Sequence, residues 1–324
     1  MKSAIEVLNV FENVRRAQRA GVYAPHKPLL ILLALARVQR GEPRLVSFAA
    51  VDQPLKQLLA EFGPSSAAKS RHYPFWHLAT DGRGAIWELT GPREFLKRAA
   101  GQTPSLTELR THEVKGGFPL DVDDSLRHQP GLLQAVASRV LDACFPSTLH
   151  ADIVASLGLD LDGPGEVREA GPLTAIETNP IRRRRDPGFR ERVLRAYEYR
   201  CCVCGFDLRI GLTPAGLEAA HIQWHHVGGP DIEPNGLSLC ALHHKLFDLG
   251  AFTVEPSGYH LVFSQHAISG GRGMAGELQF HGRAILPPQH PVLLPAPEFL
   301  AWNLTNVFKR PARKPRAVTT LAVG

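Results

Sequence analysis

The sequence predicts an α+β protein in two domains, a helix-rich N-terminal one and a smaller C-terminal one organised around a metal. Three observations carry this reading. Apolar residues recur at helical spacing through the N-terminal half. A segment rich in Gly, Pro and Arg then interrupts the pattern. After it, two short-spaced pairs of metal-ligand residues bracket a stretch rich in histidine.

At 324 residues the chain is long enough for two moderate cores. The expected boundaries are a first domain over 1–161, a linker over 162–185, a second domain over 186–290 and a C-terminal extension over 291–324. Ile5, Leu8, Val10, Phe11 and Val14 fall at helix-like spacing. Pro28 is placed to start a second helix, Leu29 to Val38, because its fixed φ suits a first turn. Val51 to Phe62 reads as a third helix, closed by Gly63-Pro64. Ala85 to Leu89 is a short strand, and Leu132 to Cys144 a further amphipathic helix. The linker holds Gly163-Pro164-Gly165, Gly171-Pro172 and Asn179-Pro180 and ends in four arginines, Arg182 to Arg185. A helix from Asp186 to Tyr199 follows. Gly250 to Val254 and Tyr259 to Phe263 read as two strands joined at Pro256-Ser-Gly. The Arg- and Pro-rich tail beyond Asn306 is expected to be mobile.

Composition narrows the function classes. The net charge of +6 favours a polyanionic partner. The longest apolar run, Leu29 to Ala36, ends at Arg37 and is far too short for a membrane span. Glu6 and Glu12 interrupt any secretory pattern at the N-terminus. Five cysteines, three of them in the metal-ligand pairs, suit a reducing cytoplasm better than a disulfide framework.

The chemistry concentrates between Cys201 and Asp248. Cys201/Cys204 and Cys240/His243 are two pairs separated by 35 residues, a pattern that suits a tetrahedral structural Zn²⁺. His221, Asn235 and His244 lie among these ligands. Hydrolysing a phosphodiester needs an activated water, a cation to neutralise developing charge and rigid placement of both. His221 has the ordinary pKa of a general base. His244 directly follows a zinc ligand and is placed to hold a second, catalytic cation of the Mg²⁺ or Mn²⁺ type. Asn235, in a Pro-Asn-Gly turn, can hold the loop that carries His221 or help orient the cation. Asp248, four residues beyond His244, shares its helical face and is a second candidate ligand. From Arg182 to Arg200 there are eight arginines against three acids, so Arg182, Arg183 and Arg190 are expected to contact phosphates.

Glu218-Ala-Ala-His221-Ile, Asn235-Gly236-Leu and Cys240-x-x-His243-His244-x-x-Phe-Asp248 resemble the HNH nuclease family. The resemblance implies a ββα-metal fold, with His221 as the water-activating base, Asn235 as a positioning residue and His244 as a metal ligand. One position departs. Many HNH enzymes carry an acid or His just before the base, and here that residue is Ala220. Glu218, three residues before His221, is not assigned the missing role, so the ligand set of the catalytic cation stays open.

In the first domain, Pro25-His26-Lys27-Pro28, Arg71-His72-Tyr73-Pro74-Phe75-Trp76-His77 and Thr111-His112-Glu-Val-Lys115-Gly116-Gly117-Phe118 read as basic, aromatic loops. The glycines of the third would allow close approach to a DNA groove. Together the three resemble the sulfur-binding domain of restriction endonucleases that cleave phosphorothioate-modified DNA. That resemblance implies that His26, Lys27, Tyr73, Pro74 and His77 line a sulfur pocket, and that His112, Lys115 and Gly116 face the DNA. Sulfur is larger and less strongly hydrated than oxygen. An oxygen in an apolar dent would lose hydrogen bonds without replacement. The expected protein is therefore a modification-dependent restriction endonuclease acting on phosphorothioated double-stranded DNA, and the resemblance also implies a homodimer. Two other readings stand beside it: an HNH enzyme that reads methylated cytosine, and a non-catalytic zinc-stabilised DNA-binding protein.

Overall fold

The computed structural model describes residues 1–12, 24–80, 85–97, 102–161, 186–268 and 275–314. It divides into two units, Met1–Arg183 and Arg184–Gly324. The expected linker over 162–185, with Arg182 and Arg183, lies outside the described residues, as do Val14 and the tail beyond Lys314.

The first unit is built round one helix. Its helices are α1 (Ala4–Glu12), α2 (His26–Gln39), α3 (Phe48–Phe62), α4 (His72–His77), α5 (Arg93–Leu96), α6 (Leu106–Thr111), α7 (Leu120–His128), α8 (Leu132–Cys144) and α9 (Ser147–Leu157). In α2 every residue from Pro28 to Ala36 is buried. A helix apolar on all sides has to be covered all round, and α3, α4, α7, α8 and α9 provide that cover. Strands β1 (Val46–Ser47), β2 (Glu88–Thr90) and β3 (Lys115–Gly117) form a small antiparallel sheet with β3 in the middle. Gly116 pairs with Val46 on one side and Leu89 on the other.

Two of the three expected loops are therefore helix starts: His26 opens α2, and His72 to His77 is α4. The third contains the central strand. A Cβ on Gly116 would come within 2.6 Å of the buried Trp87 indole nitrogen. Close packing of an indole accounts for this glycine without any approach to a groove.

Asp52 of α3 ties these segments together. Its carboxylate takes hydrogen bonds from Arg71 (2.5 Å), the residue before α4, and from Arg110 of α6. Asp52 is only 4% exposed, so its desolvation is offset by two guanidinium groups.

In the second unit, helix α10 (Phe189–Ala196) packs on the antiparallel hairpin of β6 (Leu217–His221) and β7 (Gly236–Cys240). A short hairpin, β4 (Arg209–Ile210) and β5 (Thr213–Pro214), precedes them. Helix α11 (Ala241–Asp248) begins directly after β7, and β8 (Phe252–Val254) pairs with β9 (Leu261–Phe263) as expected. Helices α12 (Ala275–Leu278) and α13 (Pro297–Asn306) complete the unit. His221 faces Gly236 across the hairpin, and a Cβ there would meet Val193 of α10 at 2.5 Å. The glycine of the Asn-Gly pair thus lets α10 lie flat on the strands.

The expected mobile tail is corrected through Lys314. Val307 and Phe308 are buried. The backbone then binds the sheet: Lys309 N–H donates to Gly250 (2.9 Å), Gln265 N–H to Pro311 (2.9 Å) and Arg313 N–H to Phe263 (2.8 Å). Backbone pairing along an open strand outweighs the mobility that composition suggested. Leu300 of α13 belongs to the same core as α10, β6 and β7, so residues 291–314 are not an appendage. Among the described residues, no helix is long and apolar enough to cross a membrane.

Removing Asp52 would leave Arg71 and Arg110 without their shared counter-charge. Asp52→Ala is expected to lower unfolding stability by about 3 kcal/mol, read in a urea melt of the full chain, because an uncompensated buried charge costs that much.

Candidate functional site

Four donors converge in the second unit. Cys201, Cys204, Cys240 and His243 place one ligand atom each within 4.8 Å of one another. His243 Nδ1 lies 3.2 Å from Cys240 Sγ and 3.6 Å from Cys201 Sγ. Donors round a tetrahedral Zn²⁺ are separated by about 3.5–3.8 Å, so the set fits that ion. The thiols share their protons: hydrogen bonds from Cys204 and Cys240 lower the Cys201 thiol, while contacts with Cys201 and Cys240 raise Cys204. A cation removes the need for that sharing. Glu277 Oε2, 2.6 Å from His243 Nε2, turns the other nitrogen towards the cluster. Cys202 is buried but stands outside the set.

Cys240 also caps α11, so the cluster fixes the start of the helix that carries His244. His244 is held from both ends of its ring. Nδ1 is 2.5 Å from Glu218 Oε2, and Nε2 is 3.3 Å from Asp248 Oδ2. Burial disfavours the charged imidazole, but Asp248 and then Glu218 outweigh it and raise its pKa to about 9. The Glu218 carboxyl is held below its ordinary range by the bond to His244.

The two carboxylates differ. Asp248 is 4% exposed, and its Oδ1 accepts the indole N–H of Trp224 (2.9 Å). Both of its oxygens are committed, so its geometry is that of an orienting partner. The Glu218 side chain is 45% exposed. It lies two residues before Ala220 on β6, hence on the same strand face, and it brings to His244 the acid missing at position 220. The strand period was the signal for this residue, but it becomes usable only once β6 is placed.

His221 occupies the opposite face of β6. Its ring stacks on Phe189 of α10 (centroids 4.1 Å apart, 21° between planes), and Nε2 lies 2.7 Å from Asp231 Oδ1. Asp231 sits in the β6–β7 loop and carried no sequence signal. Asn235 is fully buried and staples that loop. Its Oδ1 accepts from Gln223 N–H (2.8 Å), and its Nδ2 donates to the carbonyls of Gln223 (3.0 Å) and Pro230 (2.9 Å). Every amide bond goes to backbone, so of its two expected roles Asn235 fills loop holding. Arg190 is exposed, and one guanidinium nitrogen donates to the Leu217 carbonyl (2.8 Å). Its neighbours in the basic segment are paired internally: Arg192 with Asp186 and Glu233, Arg195 with Glu191, and Arg200 with Glu198.

In the first unit, Tyr73, Pro74 and His77 share α4. Tyr73 is 48% exposed, Pro74 is buried, and the Tyr73 ring stacks on His77 at 5.8 Å. His77 Nε2 bonds Thr103 Oγ1 (2.7 Å). His26 reaches from α2 to the turn before α4, its Nε2 lying 2.9 Å from the Ala67 carbonyl and 3.0 Å from Ser70 Oγ. Burial lowers its pKa against the opposing pull of that carbonyl, so the ring is neutral near pH 7. Lys27 is half-buried beside it. His112 lies flat on Phe95 (4.2 Å, 30°), and Lys115 is exposed.

Residues 4–162 match the ScoMcrA-like DNA sulfur-binding domain, and residues 201–255 match the HNH endonuclease family. The chain joins a DNA sulfur-binding domain to an HNH endonuclease domain. Similar solved structures include the sulfur-binding domain of ScoMcrA complexed with phosphorothioated DNA, at 25% identity over 47% of this chain and 94% of that one, with a TM-score of 0.41. The sulfur-binding domain of SprMcrA complexed with phosphorothioated DNA matches at 21% identity over 49% and 95%, with a TM-score of 0.37. The type IV phosphorothioation-dependent restriction endonuclease ScoMcrA matches at 23% identity over 47% of this chain but 27% of its own length, with a TM-score of 0.38. No curated protein matches. The HNH domain implies use of a divalent cation, and the Cys₃His cluster can hold a metal.

With no cation bound, folded His244 keeps its proton to about pH 9 and unfolded His244 only to about 6.5. Its stabilisation is complete below pH 6.5 and disappears as pH rises through 9, an effect of at most roughly 3 kcal/mol. With Zn²⁺ kept at the cysteine cluster and no other divalent cation present, the melting temperature is expected to fall across that window, and Glu218→Gln to flatten the fall. An equally steep fall in Glu218→Gln would remove Glu218 from the His244 site.

Proposed function

We propose that this chain is a modification-dependent restriction endonuclease that binds phosphorothioated duplex DNA through its sulfur-binding domain and hydrolyses phosphodiester bonds with its HNH domain. The carrying observation is the HNH arrangement itself: His221 and His244 lie on elements locked by one hairpin, with Asn235 closing the loop between the strands. His221 takes a proton from water as that water attacks phosphorus. Glu218 and His244 are the residues that would hold the catalytic Mg²⁺ or Mn²⁺, with Asp248 orienting His244. Such an ion neutralises charge on the phosphoryl and leaving oxygens. Zn²⁺ at the Cys₃His cluster is structural.

The half-exposed Tyr73 over buried Pro74, with His77 stacked beside it, supports an apolar seat for sulfur, and Lys27 supplies attraction common to both backbones. Lys115 and His112 support contacts to the flanking DNA. Arg190 has guanidinium hydrogens beyond its single carbonyl bond, which supports a phosphate contact. Cytoplasmic action and a homodimer belong to the same reading.

The decisive assay uses matched duplexes with and without one backbone sulfur. Sulfur is expected to improve binding roughly 5- to 150-fold, the equivalent of an unpaired polar atom at about 1–3 kcal/mol. Tyr73→Ala should erase that preference while leaving weak general binding. His221→Ala should keep binding but slow cleavage by about 10²- to 10⁴-fold with Mn²⁺ present. Equal binding of the two duplexes by wild-type protein would refute the sulfur reading. Cys240→Ala should lose zinc on elemental analysis and melt early; retained zinc would refute the ligand set.

A further inference from the structure

Between the first cysteine pair and the strand that carries His221, the chain makes a small projection that the proposed chemistry has not used. β4 and β5 are joined by Gly211-Leu212, with Ile210 paired to Thr213 and Arg209 to Pro214. Gly211 has a φ of +62°, the left-handed value that the first position of a tight Gly-X hairpin turn requires. Turn chemistry favours a small or polar residue next to it. Here that residue is leucine. Exposure of the apolar side chains climbs towards the tip, from 58% at Leu208 to 77% at Ile210 and 94% at Leu212. Single exposed aliphatics are ordinary on a protein surface. Three within five residues, the barest of them in the turn itself, form a patch that the fold does not need.

The hairpin is firmly rooted at both ends. Gly205 N–H donates to the Cys201 carbonyl and Cys201 N–H to the Phe206 carbonyl (both 2.8 Å), so the chain enters it straight from the metal-ligand turn. Ala215 N–H closes it on the Leu208 carbonyl (2.9 Å), and the Gly216 carbonyl accepts from Ala241 N–H at the start of α11 (2.9 Å). Arg190 donates to the carbonyl of Leu217, and Glu218, one residue further, faces His244. Leu212 and Glu218 are six residues apart, at most about 20 Å of chain, or roughly six base-pair steps. Arg209 is exposed within the hairpin, its guanidinium 5.0 Å from the Tyr199 ring, and the acid of this stretch, Asp207, lies at the root.

Three side chains on one hairpin do not supply the surface of about 800 Å² that a stable protein interface takes from each partner. Duplex DNA asks for other features, cations for the backbone and a narrow apolar tip for the base stack. We propose that the β4–β5 hairpin is a DNA wedge: Leu212 and Ile210 enter the base stack near the phosphate that faces Glu218 and His244, while Arg209 and Arg190 hold the flanking backbone. Opening a step bends the duplex and lets the strand reach down to His244, whose side chain is only 14% exposed. The wedge rests on the HNH domain acting on duplex DNA.

The experiment uses the full chain with its zinc and phosphorothioated duplexes carrying 2-aminopurine at successive single positions across the region protected from DNase. With no Mg²⁺ or Mn²⁺ present, wild type is expected to raise the fluorescence at one or two steps within about six of the cut. Leu212→Ser should lose that rise, and Leu212→Met, which keeps an apolar wedge, should retain it. Both variants should keep zinc content, melting temperature and the preference for sulfur, because the side chain is on the surface. In Mn²⁺, Leu212→Ser should cleave about 10- to 10²-fold more slowly than wild type, as a misplaced phosphate would. No rise in wild type at any probed position would overturn the inference. So would wild-type fluorescence in Leu212→Ser. A dimer of wild type in sedimentation that Leu212→Ser converts to monomer would give the patch to a second copy and overturn the wedge. Wild type that unstacks the duplex but cuts nothing in Mn²⁺ would instead overturn the nuclease reading and leave the wedge in place.

Discussion

Four donor atoms drawn from two distant chain segments meet within 4.8 Å in the C-terminal unit. That convergence sets the register of everything around it. Cys201 and Cys204 arrive from the turn after α10, while Cys240 and His243 arrive from the end of β7 and the first turn of α11. Thiols packed so closely are comfortable neither all protonated nor all charged, and a cation held among them would remove that conflict. Once the cluster closes, His244 has no choice of position, since it follows His243 on a helix whose first residue is fixed. The hairpin is tied to the same anchor through the pairing of Leu217 with Cys240. His221, at the far end of β6, inherits its place from a metal site that it never touches.

The two histidines at the proposed hydrolytic centre show how environment divides labour between identical side chains. His244 lies between two carboxylates, and the pair makes a positive charge welcome there whether it comes as a proton or as a metal ion. His221 meets a single carboxylate, Asp231, and the ring face of Phe189. Support for His244 extends further than its own helix. Trp302 of α13 packs edge-on against Trp224 (5.7 Å), Trp224 bonds Asp248, and Asp248 faces His244. The C-terminal segment is therefore part of the site's scaffold.

Residue spacing made the metal pairs, the base, the last histidine and the longer helices legible, because each depends on contacts a few positions apart. Leu132 to Cys144 is helical over the residues expected. What escaped depends on partners distant in sequence. Glu218 could be matched to His244 only after β6 and α11 were set side by side. Asp231 sits in an irregular loop, where no period exists to mark it. Gly116 looked like a groove-facing glycine because nothing local reveals the indole of Trp87 behind it. Residues 307–314 looked mobile because Arg and Pro are common in unstructured tails, whereas their backbone found an open edge beside β9. The short helix α4 was hidden by the proline and aromatic residues that also give it its surface.

In the proposed sulfur reader, discrimination comes from what the site withholds. Two ring nitrogens near the exposed Tyr73 already have partners: His26 Nε2 is committed to Ala67 and Ser70, and His77 Nε2 to Thr103. His112 turns a ring face against Phe95. Histidines satisfied within the protein present edges and faces to a ligand rather than free hydrogen-bonding groups, and burial keeps His26 uncharged. A phosphate oxygen entering such a seat would give up water and receive nothing, whereas sulfur has less hydration to lose. Charge attraction from lysines cannot make this distinction, since both backbones carry the same charge. Selectivity and affinity therefore reside in different residues. A site of this kind gains selectivity by removing donors from the seat and keeping cations at its rim.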